Sequence, residues 1–251
     1  MGEVPWRDIV DRAVVFRYTG YAKTRGPALD AELKRVGLFG FADTNWTFPD
    51  PFVSRFMRVF DYKEPLGGFD VTLNGFYSAV KTSYELGHER LLCCEDDVRF
   101  LSDLGWLTDA LLSIPEDFQL AKLSWMRRGG IDVAEVLDRP RVNGLWVPST
   151  GVVTRDSCAM IFSRDGMRWY IDALERGSAV VGANRRPSLP PCDAADRFPL
   201  VEDDARRVYL AIPLLARQVD DLGVRMSRVK FDPRYRPFFA SGGRSAYGGT
   251  T

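Results

Sequence analysis

The chain has 251 residues, 45% of them hydrophobic, enough apolar material to build one large α/β domain or two small ones. Its 34 basic and 34 acidic residues cancel, which argues against a global field drawing it to nucleic acid or an anionic membrane. A single histidine, His88, and four cysteines without ligand spacing (Cys93, Cys94, Cys158, Cys192) argue against a zinc centre or a Ser-His-Asp triad.

Met1 to Asp11 carries charges throughout and lacks the apolar centre of a signal peptide. No apolar run approaches the ~20 residues needed to cross a bilayer. A cytoplasmic or membrane-peripheral protein with reduced thiols is therefore expected. Ala13–Phe16 reads as a first buried strand. A basic loop with Arg17, Lys23 and Arg25 follows, then a helix from Pro27 to Val36 with the proline in its first turn. Strand, basic loop and helix form half of a βαβ unit, whose loop offers cations and helix N-terminal amides to an anion. Gly37–Ala42 reads as a second strand leading into Asp43, and residues 46–70 as a long loop of the kind that often serves as a lid.

Asn74–Leu86 carries an apolar stripe (Phe76, Val80, Tyr84) closed by Gly87, and so reads as a helix. It delivers the chain into Leu91-Leu92-Cys93-Cys94, four apolar residues in a row, the pattern of an interior parallel strand. Glu95-Asp96-Asp97 follows at once. Ligands of open α/β sheets bind beyond the carboxyl ends of the strands, where this cluster lies. If the backbone stays extended, Glu95 and Asp97 point to one side and Asp96 to the other. Two such carboxylates suit Mg²⁺ or Mn²⁺ shared with substrate phosphates. The same run also fits a solvated turn after a buried strand.

Downstream, Leu104–Leu112 reads as a helix, Phe118–Trp125 as a strand, and residues 127–148 as a flexible loop with a short helix at Val133–Leu137. Val152-Val153 and Ala159–Phe162 are strand-like, and Ser163 is placed to cap a helix from Met167 to Glu175. Residues 185–199 hold four prolines with Asp193 and Asp196; Val208–Ile212 is a late strand. One domain over residues 1–231 with a flexible tail over 232–251 is the simplest division.

In this order the pieces resemble glycosyltransferase family 25, which includes lipopolysaccharide-biosynthesis sugar transferases and procollagen galactosyltransferases. Val14-Val15-Phe16 and the helix ending Leu33-Lys34-Arg35-Val36-Gly37-Leu38 are similar to the family's opening strand and its L-x-x-x-G-[LI] ending. Gly75-Phe76-Tyr77-Ser78 with Leu91 to Val98 resembles G-C-x-x-S-H … A-L-[IV]-L-E-D-D-V, the most specific match. Ala159–Met167 is similar to A-Y-[LI]-[IV]-S-x-x-G-A, and Pro191-Cys192-Asp193 with Val208–Leu214 to P-[VI]-D … V-Y-x-x-x-P-P-L. Ala79 stands where the family has His, Phe76 where it has Cys, and Met160 where it has an aromatic, marking a divergent member.

The resemblance implies a GT-A fold, a Rossmann-like mixed sheet flanked by helices. It also implies an inverting transfer of a hexose from a nucleotide sugar, with UDP the expected nucleotide, to an acceptor hydroxyl. Glu95 and Asp97 would hold the divalent cation, Mn²⁺ or Mg²⁺. Asp193 matches the family's P-x-D position and would be the base, with Asp196 and Asp156 in reserve. Phe16, Arg17, Tyr18, Arg25, Asp43, Asp96 and Lys122 would line the donor. Two other readings compete: a metal-dependent phosphodiesterase or nuclease, and a catalytically degenerate scaffold on the same fold. His88, ahead of the strand, is expected at the far end of the sheet from the acidic cluster.

Overall fold

A computed structural model describes residues 3–17, 22–47, 68–127, 136, 138–149, 154–155, 158–172 and 207–218. A short helix α1 (Trp6–Ile9) leads into β1 (Arg12–Arg17), whose apolar run Ala13–Phe16 is wholly buried. Helix α2 (Ala22–Arg35) then carries the chain to β2 (Asp43–Thr47), parallel to β1. Helix α3 (Gly68–Glu85) leads into β3 (Arg90–Glu95), which pairs in parallel with the other edge of β1. There follow β4 (Val98–Phe100), α4 (Leu104–Leu112), β5 (Leu120–Lys122), β6 (Met126–Arg127), β7 (Trp146–Pro148), β8 (Thr154–Arg155) and β9 (Ala159–Ser163). Residues 164–172 are helical (α5), and β10 (Val208–Ala211) and β11 (Ala216–Gln218) complete the described elements.

The main sheet has seven strands in the order β2-β1-β3-β9-β5-β10-β7. It is mixed: β9 runs antiparallel to both β3 and β5, while β10 is parallel to β5 and antiparallel to β7. Helices cover both faces. Leu29 and Leu33 of α2, with α1 and α4, pack on the face presented by Ala13, Val15, Leu92 and Cys94. Phe76 and Val80 of α3, with Met167 and Tyr170 of α5, pack on the face of Val14, Phe16, Leu91 and Cys93. Alternate residues of each strand thus feed two separate cores, which is why these strands read as unbroken apolar runs.

The direction of the chain along the sheet reverses at β1: β2 lies on one side of it and β3 on the other. Successive crossovers of one hand therefore put α2 and α3 on opposite faces, leaving a crevice outside the carboxyl ends of β1 and β3. That crevice is the switch point of the sheet, and Glu95 ends the strand beside it.

Several boundaries differ from the sequence expectation. The helix expected from Pro27 begins at Ala22, so Pro27 lies inside it and Arg25 belongs to the helix rather than to a loop. The strand expected over residues 37–42 is a helix end and turn, with Gly37 and Gly40 at φ +78 and +82. There the amides of Leu38 and Phe39 both donate to Leu33 O, and the strand starts only at Asp43. The 127–148 region holds β7, whose Trp146 and Val147 are buried. Most of the expected lid (48–67), the Val133–Leu137 helix apart from Val136, and the 232–251 tail lie outside the described residues.

Ser163 caps α5 as expected, its Oγ accepting the Gly166 amide at 3.1 Å. Gly166 itself packs against the entry to β5. A Cβ there would lie 1.8 Å from Gln119 O and 2.6 Å from its carbonyl carbon, backbone atoms that cannot turn aside. Gly166→Ala should therefore lower stability by about 2–3 kcal/mol, at the upper end of overpacking costs, read as a fall in Tm. An unchanged Tm would show that α5 does not press on β5.

Burial pushes the Cys93 thiol well above the ordinary range, opposed by Arg12. It does the same at Cys94, where Cys93 and Glu95 add to the effect. A thiol whose pKa is raised on folding stabilises fully below its unfolded pKa of about 8.5, and that contribution declines as pH rises further. Stability should fall by about 1.4 kcal/mol per pH unit per thiol above that point. Urea unfolding at pH 7.5 and 9.5 tests this, and Cys93→Ala should flatten the dependence.

Candidate functional site

Strand β3 stops at Glu95, and Asp96-Asp97 forms a turn that leads into β4. The extended alternation that would pair Glu95 with Asp97 ends there. Asp96 and Asp97 converge instead. Both are buried, at 5% and 6% exposure, and both reach one guanidinium: Arg25 Nη1 lies 2.6 Å from Asp96 Oδ1 and 3.2 Å from Asp97 Oδ2. Two like charges removed from water at adjacent positions need a cation near them. Arg25 supplies it from the start of α2, whose first residues follow the carboxyl end of β1.

The distance from Arg25 to the turn is set by a second set of contacts two turns along α2. Glu32, 6% exposed, accepts the Phe100 amide of β4 at 2.7 Å. It also takes Arg35 Nε at 2.8 Å and Nη2 at 2.7 Å, and the same Nη2 donates to Phe100 O at 3.0 Å. Helix α2 is thereby fastened to the strand leaving the acidic turn. Trp6 adds to this, its Nε1 donating to Val36 O at 2.6 Å and its ring meeting Phe100 edge-on.

Glu95 belongs to the other face of the sheet. Strand alternation sets it with Leu91 and Cys93, and it stands level with Phe16 of β1. Phe16 is 3% exposed and packs on Phe76 with ring centroids 4.4 Å apart, so it forms the floor of the rim rather than an open contact. Lys122 shares that face. It ends β5 in register with Met160 and Leu210, and it is fully buried, at 0% exposure. A plain surface lysine would not be. On the rim, acid and base thus divide into Asp96, Asp97 and Arg25 toward α2, and Glu95 and Lys122 toward α3.

Other expected donor residues are not gathered here. Arg17, at the end of β1, is bonded to Asp30 of α2. Asp43 begins β2 rather than ending a strand, and pairs with Arg12 at 3.3 Å beside the start of β1, away from the rim. Tyr18, Asp193, Asp196 and Asp156 lie outside the described residues. His88 is at the opposite end of β3, as expected, its amide donating to Ser83 O. Glu32 and Arg35 are not among the residues the sequence singles out. An E-x-x-R pair on a helix resembles ordinary surface charge until β4 is known to pass beneath it.

For the divalent cation that the resemblance implies, the donor set is the test. Asp96 and Asp97 present hard oxygens to one cation position, which Arg25 Nη1 takes. Among the described residues no group of three His, Cys, Asp or Glu is gathered that could hold an ion by itself. Two carboxylates fit a Mg²⁺ or Mn²⁺ ion whose remaining ligands come from water and substrate phosphates, and do not make a closed protein cage.

No family model matches the chain, and no curated protein matches it. Among solved structures it is similar to one described as mannose-1-phosphate geranyltransferase from Thermus thermophilus. The identity is 14% and the TM-score 0.38, over 80% of this chain and 73% of that one. A likeness of that degree carries nothing about the chemistry, which rests on the residues above.

The Glu32 clamp yields a direct expectation. Glu32→Ala leaves the Phe100 amide and Arg35 without their buried acceptor and should cost about 1.5–3 kcal/mol, the range for a hydrogen bond to a charged group. Chemical denaturation reads the loss. Full stability in the variant would mean that α2 and β4 are joined by apolar packing alone.

Proposed function

We propose that this protein is a glycosyltransferase on a GT-A-type sheet, moving a hexose from a nucleoside diphosphate sugar, UDP the first candidate, to an acceptor hydroxyl. The observation that carries the reading is the convergence of buried Asp96 and Asp97 on one cation position at the switch point of the mixed sheet. That is where a nucleotide's phosphates would lie in an open α/β sheet. The acidic motif of the family 25 resemblance falls on the same turn.

In this reading the rim residues bind and orient the diphosphate. Asp96 and Asp97, which converge, would hold a Mn²⁺ or Mg²⁺ ion, which supplies a Lewis acid against the charge that develops on the leaving diphosphate. Arg25, on a helix and held by the α2–β4 clamp, adds a second positive group on the same side. Lys122, buried on β5, is the corresponding cation on the side of Glu95. Asp193, which the resemblance marks as the base, would take the proton of the acceptor hydroxyl as the new glycosidic bond forms. Inversion follows if that hydroxyl attacks from the face opposite the leaving group.

The test is release of UDP from UDP-glucose and UDP-galactose in the presence of Mn²⁺. Asp97→Asn keeps the shape of the turn and removes its charge, and should slow release by roughly 10²–10³-fold, as for other groups that stabilise developing charge. Undiminished release in the variant removes the acidic turn from the chemistry. Failure of the wild-type protein to bind or cleave any nucleotide sugar, with its fold intact, overturns the transferase reading in favour of a scaffold.

A further inference from the structure

We infer that Arg25 is a partner-exchanging residue that couples divalent-cation binding to diphosphate binding at the acidic turn, an inference that rests on the nucleotide-sugar reading above. The cation position between Asp96 and Asp97 is where Arg25 Nη1 lies, at 2.6 and 3.2 Å from one oxygen of each carboxylate. A divalent ion facing the same two oxygens competes with the guanidinium for them. Arg25 cannot yield by losing its proton, since a guanidinium stays charged at every accessible pH. It yields only by finding another anion.

The nearest suitable anion in this reading is the ligand's own diphosphate. A guanidinium forks onto phosphate oxygens as readily as onto carboxylates, with two parallel hydrogen bonds. Arg25 lies at the start of α2, whose N-terminal amides also favour an anion at the end of β1. Its side chain is 16% exposed and those of Asp96 and Asp97 are 6% and 7%, so the arginine lies on the more open side of the pair. A diphosphate that draws Arg25 outward removes the guanidinium's charge from the two carboxylates, and the incoming ion replaces that charge. The ion in turn leaves Arg25 to the diphosphate. Linkage requires the effect to be equal in both directions. Without nucleotide, Arg25 therefore holds the turn closed to metal. The clamp at Glu32 keeps the helix in place while the side chain moves.

The experiment titrates Mn²⁺ into the full chain by electron paramagnetic resonance and UDP by calorimetry, each alone and with the other ligand present. Wild type, Arg25→Gln and Arg25→Lys are compared, with thermal unfolding as the check on folding. Arg25→Gln should bind Mn²⁺ alone roughly tenfold more tightly than wild type. UDP should improve Mn²⁺ affinity roughly tenfold less in the variant than in wild type, within the usual range of coupling between sites. Arg25→Lys keeps the charge without the fork, so Mn²⁺ alone should bind it as weakly as wild type while the gain from UDP shrinks. If Arg25→Gln does not fold, the Lys variant decides: a gain from UDP equal to that of wild type overturns the inference. Equal Mn²⁺ affinity and equal coupling in folded Arg25→Gln and wild type also overturn it, and leave the transferase reading standing. Absence of UDP binding to wild type, with or without Mn²⁺, overturns both.

Discussion

The structure turns on one ion cluster, Arg25 with Asp96 and Asp97. Two carboxylates that follow a fully buried strand cannot both lose their water unless a positive group takes its place. The chain meets this demand locally rather than by distant charge. Strand β3 ends one residue before the pair, the turn swings both side chains toward α2, and α2 begins early enough to put Arg25 opposite them. Breaking any of these would leave a buried charge, which is far more costly than losing a surface ion pair.

Holding that cluster is a matter of fixing a helix to a strand. The Glu32–Arg35–Phe100 contacts join α2 to β4, and the side chains of Leu29, Leu33 and Phe100 bury the same seam. Arg25 and the acidic turn are thus two ends of one rigid piece. The other side of the sheet is organised differently. There Lys122 is enclosed among strand and helix residues, and Glu95 lies across β9 from it on the same face. Opposite charges thus lie on two faces around one set of strand ends.

Much of this is legible in the sequence, and the failures have physical causes. Runs such as Ala13–Phe16 and Leu91–Cys94 are read correctly because burial on both faces leaves no polar position to confuse the pattern. The start of α2 is read too late because proline favours a first turn, whereas Pro27 here is carried inside the helix. Gly37-Leu38-Phe39-Gly40 has the composition of a strand, but two glycines with positive φ make it a helix end and turn. The pairing of Glu95 with Asp97 assumes an extended backbone. That assumption fails because β4 pairs with β11, more than a hundred residues later, and the chain must turn to meet it. No local pattern reports such a partner. Lys122 shows the same limit, since a strand-end lysine reads as surface until the strands on both sides of it are known.

The three carboxylates at the end of β3 differ in what their surroundings ask of them. Asp96 and Asp97 face a permanent cation whose charge no change of pH removes. Glu95 is only half-buried and on the opposite face, where water or a ligand group can share in solvating it. A metal ion entering such a site is opposed first by Arg25 and only then by the cost of its own dehydration. Whether it binds is governed by what becomes of the arginine. A site with bare carboxylates would take up divalent ions from the cell without regard to substrate. In the proposed reading, one with a built-in guanidinium would admit them together with an anion that the guanidinium prefers, which would tie metal selectivity to the diphosphate rather than to the protein ligands alone.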